Sequence, residues 1–155
     1  LEYDIKFYHP VNKKGEGTQW LFTDCYGNVQ GKIYPDFLSQ TVQDRIIADA
    51  KYKTSNNIGN KDYLQLLAYM FRFDAKIGYY FYPDNKISDK EEYRMNKGSK
   101  YENNVKPRND TCVIKLGLKI PNDSISYNGY DGFVSKIKIS ETEFIDTILL
   151  RDNFE

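Results

Sequence analysis

An aspartate follows a proline at Pro35-Asp36, and thirteen residues further on the chain reads Asp49-Ala50-Lys51. Two carboxylates carried by neighbouring strands can share one hard divalent cation. Mg2+ takes one or two carboxylates and completes its shell with waters and phosphate oxygens. The backbone carbonyl of Ala50 is a natural further ligand from the same strand. Lys51 shares a face with Asp49, where it can orient or help deprotonate an attacking water and offset charge on a phosphate. The chemistry such a set supports is metal-assisted phosphodiester hydrolysis. Charges in a strand this apolar are costly unless paired or coordinating a metal, so a site here would also explain the strand.

The element that must carry the set is DRIIADAKYK, residues 44–53, which alternates as a strand with one buried face. Ile46, Ala48, Ala50 and Tyr52 fall on one side, and Arg45, Ile47, Asp49, Lys51 and Lys53 on the other. Upstream, residues 1–10 read as an edge strand ended by Pro10. TQWLFTDCY and KIYPDFLSQ read as a hairpin about the turn GNVQG, with Asp36 on its second strand. Pro35 asks for an edge position or a distortion there.

Downstream, Asn60 is a helix cap and KDYLQLLAYMFRFD a helix over 61–75. Leu64, Leu67, Ala68 and Phe71 form its apolar face, widened by Leu66, Met70 and Phe73. Asp62, Gln65, Tyr69, Arg72 and Lys76 form its remaining stripe. AKIGYYFYP follows as an aromatic strand, so strand, helix and strand make a parallel crossover unit. Residues 84–109 are charged and Asn-rich and read as an exposed, mobile insertion. TCVIKLGLKIP and FVSKIKI read as two more strands. Ser140 with Glu143 forms a capping box that opens a C-terminal helix. The expected architecture is a single α/β domain with a mixed sheet flanked by helices.

Composition narrows the classes. The 155 residues are 40% hydrophobic, 28% charged and 15% aromatic, with fourteen Tyr and nine Phe, which fits one well-packed domain. Twenty-two basic residues balance twenty-two acidic ones, so no global field favours nucleic acid, although a local basic stripe would suffice. Cys25 and Cys112 stand far apart without CxxC or clustered His, which suggests neither a zinc site nor a disulfide framework and makes a reducing, cytoplasmic compartment the default. No apolar run approaches the roughly 20 residues that span a bilayer. His9, the one histidine, is structural or exposed in this reading. Lys53 and Arg72 are as readily solvated as phosphate-bound.

Together, Pro35-Asp36…Asp49-Ala50-Lys51 in a hairpin–strand–helix–strand setting resembles the PD-(D/E)XK nuclease signature. Gln65-Leu-Leu-Ala-Tyr69 on the following helix resembles the QxxxY motif of one branch of that superfamily. The string IIADAKYK…DYLQLLAYMFRF…GYYFYP is similar to McrC-type and LlaJI-type restriction endonuclease subunits, over about residues 30–83. The resemblance implies a restriction-endonuclease-like fold and a Mg2+-dependent DNA endonuclease of a restriction (antiviral defence) system, with Mn2+ able to substitute. A separate AAA+ GTPase motor of the McrB-like kind would control it. Asp36, Asp49 and the Ala50 carbonyl would hold the metal, Lys51 would be the catalytic lysine, and Gln65 and Tyr69 would sit beside the scissile phosphate. The fold usually opens with a helix before the hairpin. None is legible before Trp20, so the resemblance implies a fragment of a longer chain. A non-catalytic scaffold of the same fold, binding DNA or a partner, is the alternative; a repair nuclease would share the chemistry.

Overall fold

The computed structural model describes residues 5–8, 17–43, 45–85, 90–98, 105–122 and 129–149. Its strands are β1 (Phe7–Tyr8), β2 (Gln19–Thr23), β3 (Val29–Ile33), β4 (Phe37–Ser39), β5 (Ile46–Ala50), β6 (Ile77–Asp84), β7 (Lys90–Lys97) and β8 (Lys106–Lys119). Its helices are α1 (Asn60–Arg72) and α2 (Tyr130–Leu149). Six strands form one mixed sheet in the order β1-β4-β5-β6-β8-β7, and β2 with β3 makes a separate hairpin. β5, β6 and β8 run parallel in the middle, and antiparallel strands close both edges. The fold is therefore α/β with a mixed sheet flanked by helices, as the pattern of elements predicts.

Each central strand divides its side chains between two cores. Ile47, Tyr80, Tyr82 and Val113 pack toward α1 with Leu66, Tyr69 and Met70. Ile46, Ala48, Tyr79 and Cys112 pack on the opposite face, where Phe144 of α2 meets Phe81 edge-on with ring centroids 4.9 Å apart. Burial on both faces explains the near-continuous apolar reading of these strands. Gly78 lets α1 approach β6. A Cβ there would lie 2.6 Å from the Met70 sulfur and 3.0 Å from Leu66. Gly78→Ala is expected to destabilise by about 1–3 kcal/mol through overpacking, read as a lowered urea midpoint at unchanged slope.

Several sequence expectations are corrected. The stretch FVSKIKI is not a strand but part of α2, and Ser140 lies buried in mid-helix rather than capping it. Its seven-residue alternation is too short to separate the two periods, whereas Phe133, Ile137, Phe144 and Ile148 recur at helical spacing. The charged segment 84–109 contains β7 and the start of β8, which pair antiparallel. Charge on β7 is what an edge strand carries to discourage further pairing. Residues 86–89 and 99–104 of that segment lie outside the described residues, as do His9 and Pro10. KIYPDFLSQ is two strands rather than one: the chain leaves the hairpin after Ile33 and enters the main sheet at Phe37, with Pro35 buried at the break.

The cap of α1 is Gly59, not Asn60, and the helix ends at Arg72, where Asp74 follows with φ +53°. Its buried residues are Leu66, Tyr69 and Met70, while Leu64 and Phe71, assigned to the apolar face, are 70% and 88% exposed. The helix is thus turned so that Tyr69, placed on the polar stripe from sequence, enters the core. Strand 44–53 stops at Ala50. Lys51 keeps one strand-like bond, its N–H donating to the Phe81 carbonyl at 2.8 Å, and Tyr52 is fully exposed.

Candidate active site

The site forms where β4 and β5 diverge. Their ladder ends at the pair Phe37 and Ala48, so the Ala50 N–H has no strand partner beyond it. The Asp36 carboxylate takes that role: its Oδ2 accepts the Ala50 N–H at 2.7 Å. A buried or half-buried backbone donor needs some acceptor, and here a side chain from the break at Pro35 supplies it. The Ala50 carbonyl leaves the strand on the same side as its N–H, because a strand residue aims both groups at one neighbour. Asp36 and the Ala50 main chain are therefore brought together.

Asp49 is buried, 5% exposed, and points to the α1 side of β5 along with Ile47. Lys51 folds back from the strand end so that its ammonium lies against the Asp49 Oδ2. The two groups form an ion pair, and beyond it Asp49 Oδ2 has no hydrogen-bond partner. The same ammonium donates to Gln65 Oε1 at 3.2 Å and stands 3.4 Å from Asp62 Oδ1. Gln65 in turn donates through Nε2 to the Tyr69 hydroxyl at 2.8 Å. Asp36, Asp49, Lys51, Gln65 and Tyr69 thus form one connected group, although Tyr69 reaches Lys51 only through Gln65.

Asp62 was on the helix stripe but carried no role from sequence. It is the acid that organises the cations: Oδ2 accepts from Lys53 Nζ at 2.6 Å and from the Gly59 N–H at 3.0 Å. The signal that would have found it is its position three residues before Gln65, one turn earlier on the same face. Lys53 is accordingly tied to the helix start. Arg72 lies away from this group: its Nε donates to the Trp20 carbonyl at 2.8 Å and pins the β2–β3 hairpin to the end of α1.

The electrostatics separate Asp49 from Asp62. Burial, reinforced by the neighbouring Asp36, raises the Asp49 pKa above 3.8 despite the opposing Lys51. For Lys51, burial opposes the charged form, but Asp49 and Asp62 outweigh it and raise its pKa. Lys51 is therefore an ammonium at neutral pH, which suits orienting a phosphate or water and does not suit taking a proton. Burial also works against ionised Asp62, yet Lys53, the Gly59 N–H and Lys51 together hold it at about 2. Burial raises the pKa of Tyr69, which stays a neutral phenol.

A carboxyl held at about 2 rather than 3.8 contributes stability above its unfolded pKa that disappears as pH falls through the folded one. Discounting for partial solvent screening, that is about 1–2 kcal/mol lost between roughly pH 4 and pH 2. Asp62→Asn, which keeps an acceptor for Gly59, is expected to lower stability at pH 7 by this amount and to flatten the acid limb. Chemical denaturation across pH reads both effects.

Among the described residues, no group of three or more His, Cys, Asp or Glu side chains is arranged to hold an ion. The oxygens that could hold a hard cation are fewer: the Asp36 and Asp49 carboxylates and the Ala50 carbonyl, with Asp49 Oδ2 buried and, beyond the Lys51 ammonium, without a hydrogen-bond partner. Mg2+ commonly binds through one or two carboxylates plus water and substrate oxygens, a number of carboxylates that these residues could supply. A groove of about 990 Å3 between the β2–β3 hairpin, the outer side of α1 and the β7–β8 edge contains none of these residues. No protein-family model matches the chain, and no curated protein matches it in sequence.

Proposed function

We propose that the chain is the Mg2+-dependent endonuclease domain of a DNA restriction system, hydrolysing phosphodiester bonds and governed by an AAA+ GTPase (McrB-like) motor. The observation that carries the reading is the convergence of Asp36 from the β3–β4 break, Asp49 from β5 and Lys51 just beyond it, with Gln65 of α1 bonded to the Lys51 ammonium. Asp36, Asp49 and the Ala50 carbonyl would hold the cation. When bound, Mg2+, or Mn2+ in its place, supplies Lewis-acid stabilisation of phosphate charge and an acidified water.

The rest of the work falls to the chain itself. Lys51, kept charged by Asp49 and Asp62, attracts and orients the phosphate and its attacking water. Gln65 and Tyr69 limit where that ammonium can point, since each is bonded to the next. Asp62 holds Lys53 beside them at the opening of α1. The fixed donors lower the reorganisation needed when charge builds on the phosphate.

Metal-linked stability tests the reading without assuming a DNA site. Mg2+ or Mn2+ at about 100-fold over its dissociation constant adds roughly 2.7 kcal/mol to a protein with one site. The wild-type chain is expected to gain this stabilisation and to nick supercoiled plasmid, more strongly with the motor and GTP. Asp36→Ala is expected to show neither. A chain that gains no stability from either metal and cuts no DNA would overturn the proposal. A non-catalytic scaffold is the second reading, favoured by one observation: Lys51 already has Asp49, Asp62 and Gln65 around it. A repair nuclease of the same superfamily would respond to the metals but not to the motor.

A further inference from the structure

The parallel register places Asp49 of β5 beside Tyr80 of β6, and Tyr80 beside Lys115 of β8. All three point toward α1, because Ile47, Tyr82 and Val113, each two residues away, pack in that core. Tyr80 is fully buried, with its ring edge-on to Tyr63 at 6.0 Å between centroids. Among the described residues, two buried side-chain polar atoms lack a hydrogen-bond partner, and they are the Tyr80 hydroxyl and Asp49 Oδ2. One is a donor and the other an acceptor. They belong to adjacent residues of one rung, and after burial the Asp49 charge is the strongest influence on the Tyr80 phenol.

A buried hydroxyl with no partner is costly. A phenol reaches further from its strand than an aspartate does, so the two atoms stand at different heights above the sheet. One water between them would satisfy both, accepting from the Tyr80 hydroxyl and donating to Asp49 Oδ2. We propose that Tyr80 is a positioning residue that shares an ordered water with Asp49 Oδ2 at the base of the site. Its catalytic consequence rests on the nuclease reading above, whereas the water site itself does not.

A double-mutant cycle in metal-free buffer tests the water site, because Tyr80→Phe keeps the ring packing and removes one oxygen. Tyr80→Phe is expected to lower Tm by about 2–4 °C in the wild-type background and to leave it unchanged or raise it in the Asp49→Ala background. In an Asp62→Asn background the full decrease should persist. A rise in Tm on Tyr80→Phe alone, or the same change with and without Asp49, overturns the proposal. With Mg2+ and plasmid, Tyr80→Phe is expected to lower kcat about tenfold at unchanged KM, as loss of a supporting group does. A raised KM with intact kcat would remove the positioning role. The two readings fail separately. Cleavage that survives Asp49→Ala overturns the nuclease assignment, while additive Tm changes beside lost cleavage overturn only the role of Tyr80.

Discussion

Lys51→Ala is expected to reduce DNA cleavage by roughly 10^3-fold or more and also to lower stability by about 2–4 kcal/mol. The second effect follows from burial. Removing the ammonium leaves Asp49, 5% exposed, facing Asp36 with no compensating charge. Asp49→Asn should behave differently, losing cleavage to the same extent while changing stability little. The ionised Asp49 is itself a burden on the fold, and Lys51 keeps Asp62 and Gln65 in its absence. Joining Asp49→Asn to Lys51→Ala should therefore recover most of the lost stability and none of the activity. Urea unfolding of the four proteins, with plasmid nicking alongside, measures the cycle.

The pH dependence of that cycle has a definite sign. A folded-state pKa raised above the unfolded value favours the protonated fold, and this stability is lost as pH rises through the folded pKa. Asp49 is such a group, and without Lys51 its pKa rises further. The deficit of Lys51→Ala should thus be small in acid and widen toward neutral pH. Asp62, held low by Lys53 and Lys51, moves the opposite way and weakens the fold only as pH falls toward 2. If Lys51→Ala were destabilised equally at all pH values, the loss would come from packing of its stem and not from an unpaired carboxylate.

What could be read from the sequence was decided by how local the cause was. The alternation of IIADA places Ile47 and Asp49 on one face because strand period is set by the backbone itself, and the cores divide along it. The Pro35-Asp36 break was visible as a proline that no central strand accommodates. Leu64 and Phe71 were assigned to the wrong side because α1 is apolar nearly all round, so periodicity alone does not choose which stripe meets the sheet; Gly78 and the packing of Met70 do. Seven alternating residues in FVSKIKI carried a false strand signal that its longer helical context overrides. Asp62, Tyr80 and Lys115 were not assigned because their roles depend on register across strands and on the turn after β5. Neither is written into nearest neighbours along the chain.

Lys115→Ala is expected to cost about 3–4 kcal/mol, a loss comparable with breaking a buried ion pair. Lys115 is 4% exposed, and its ammonium donates to the Ser55 carbonyl at 3.1 Å. It lies over the rings of Tyr63 and Tyr93 at 5.4 and 5.0 Å and 4.0 Å from Glu91 Oε2. Ser55 also donates its hydroxyl to Glu91 Oε1 at 2.6 Å. This knot fastens the turn that follows β5, which carries Lys51 and Lys53, to the β7–β8 edge of the sheet. Alanine would leave a cavity, an unpaired carbonyl and a carboxylate without its cation. Lys115→Met should lose only about 1–2 kcal/mol, since its stem fills the space and its sulfur suits the two rings. Because the knot holds the turn, proteolysis within residues 51–58 should quicken in Lys115→Ala before global unfolding does, and less so in Lys115→Met. Equal protection of that turn in both variants would mean that α1 and Asp62 hold Lys51 in place without help from the far edge of the sheet.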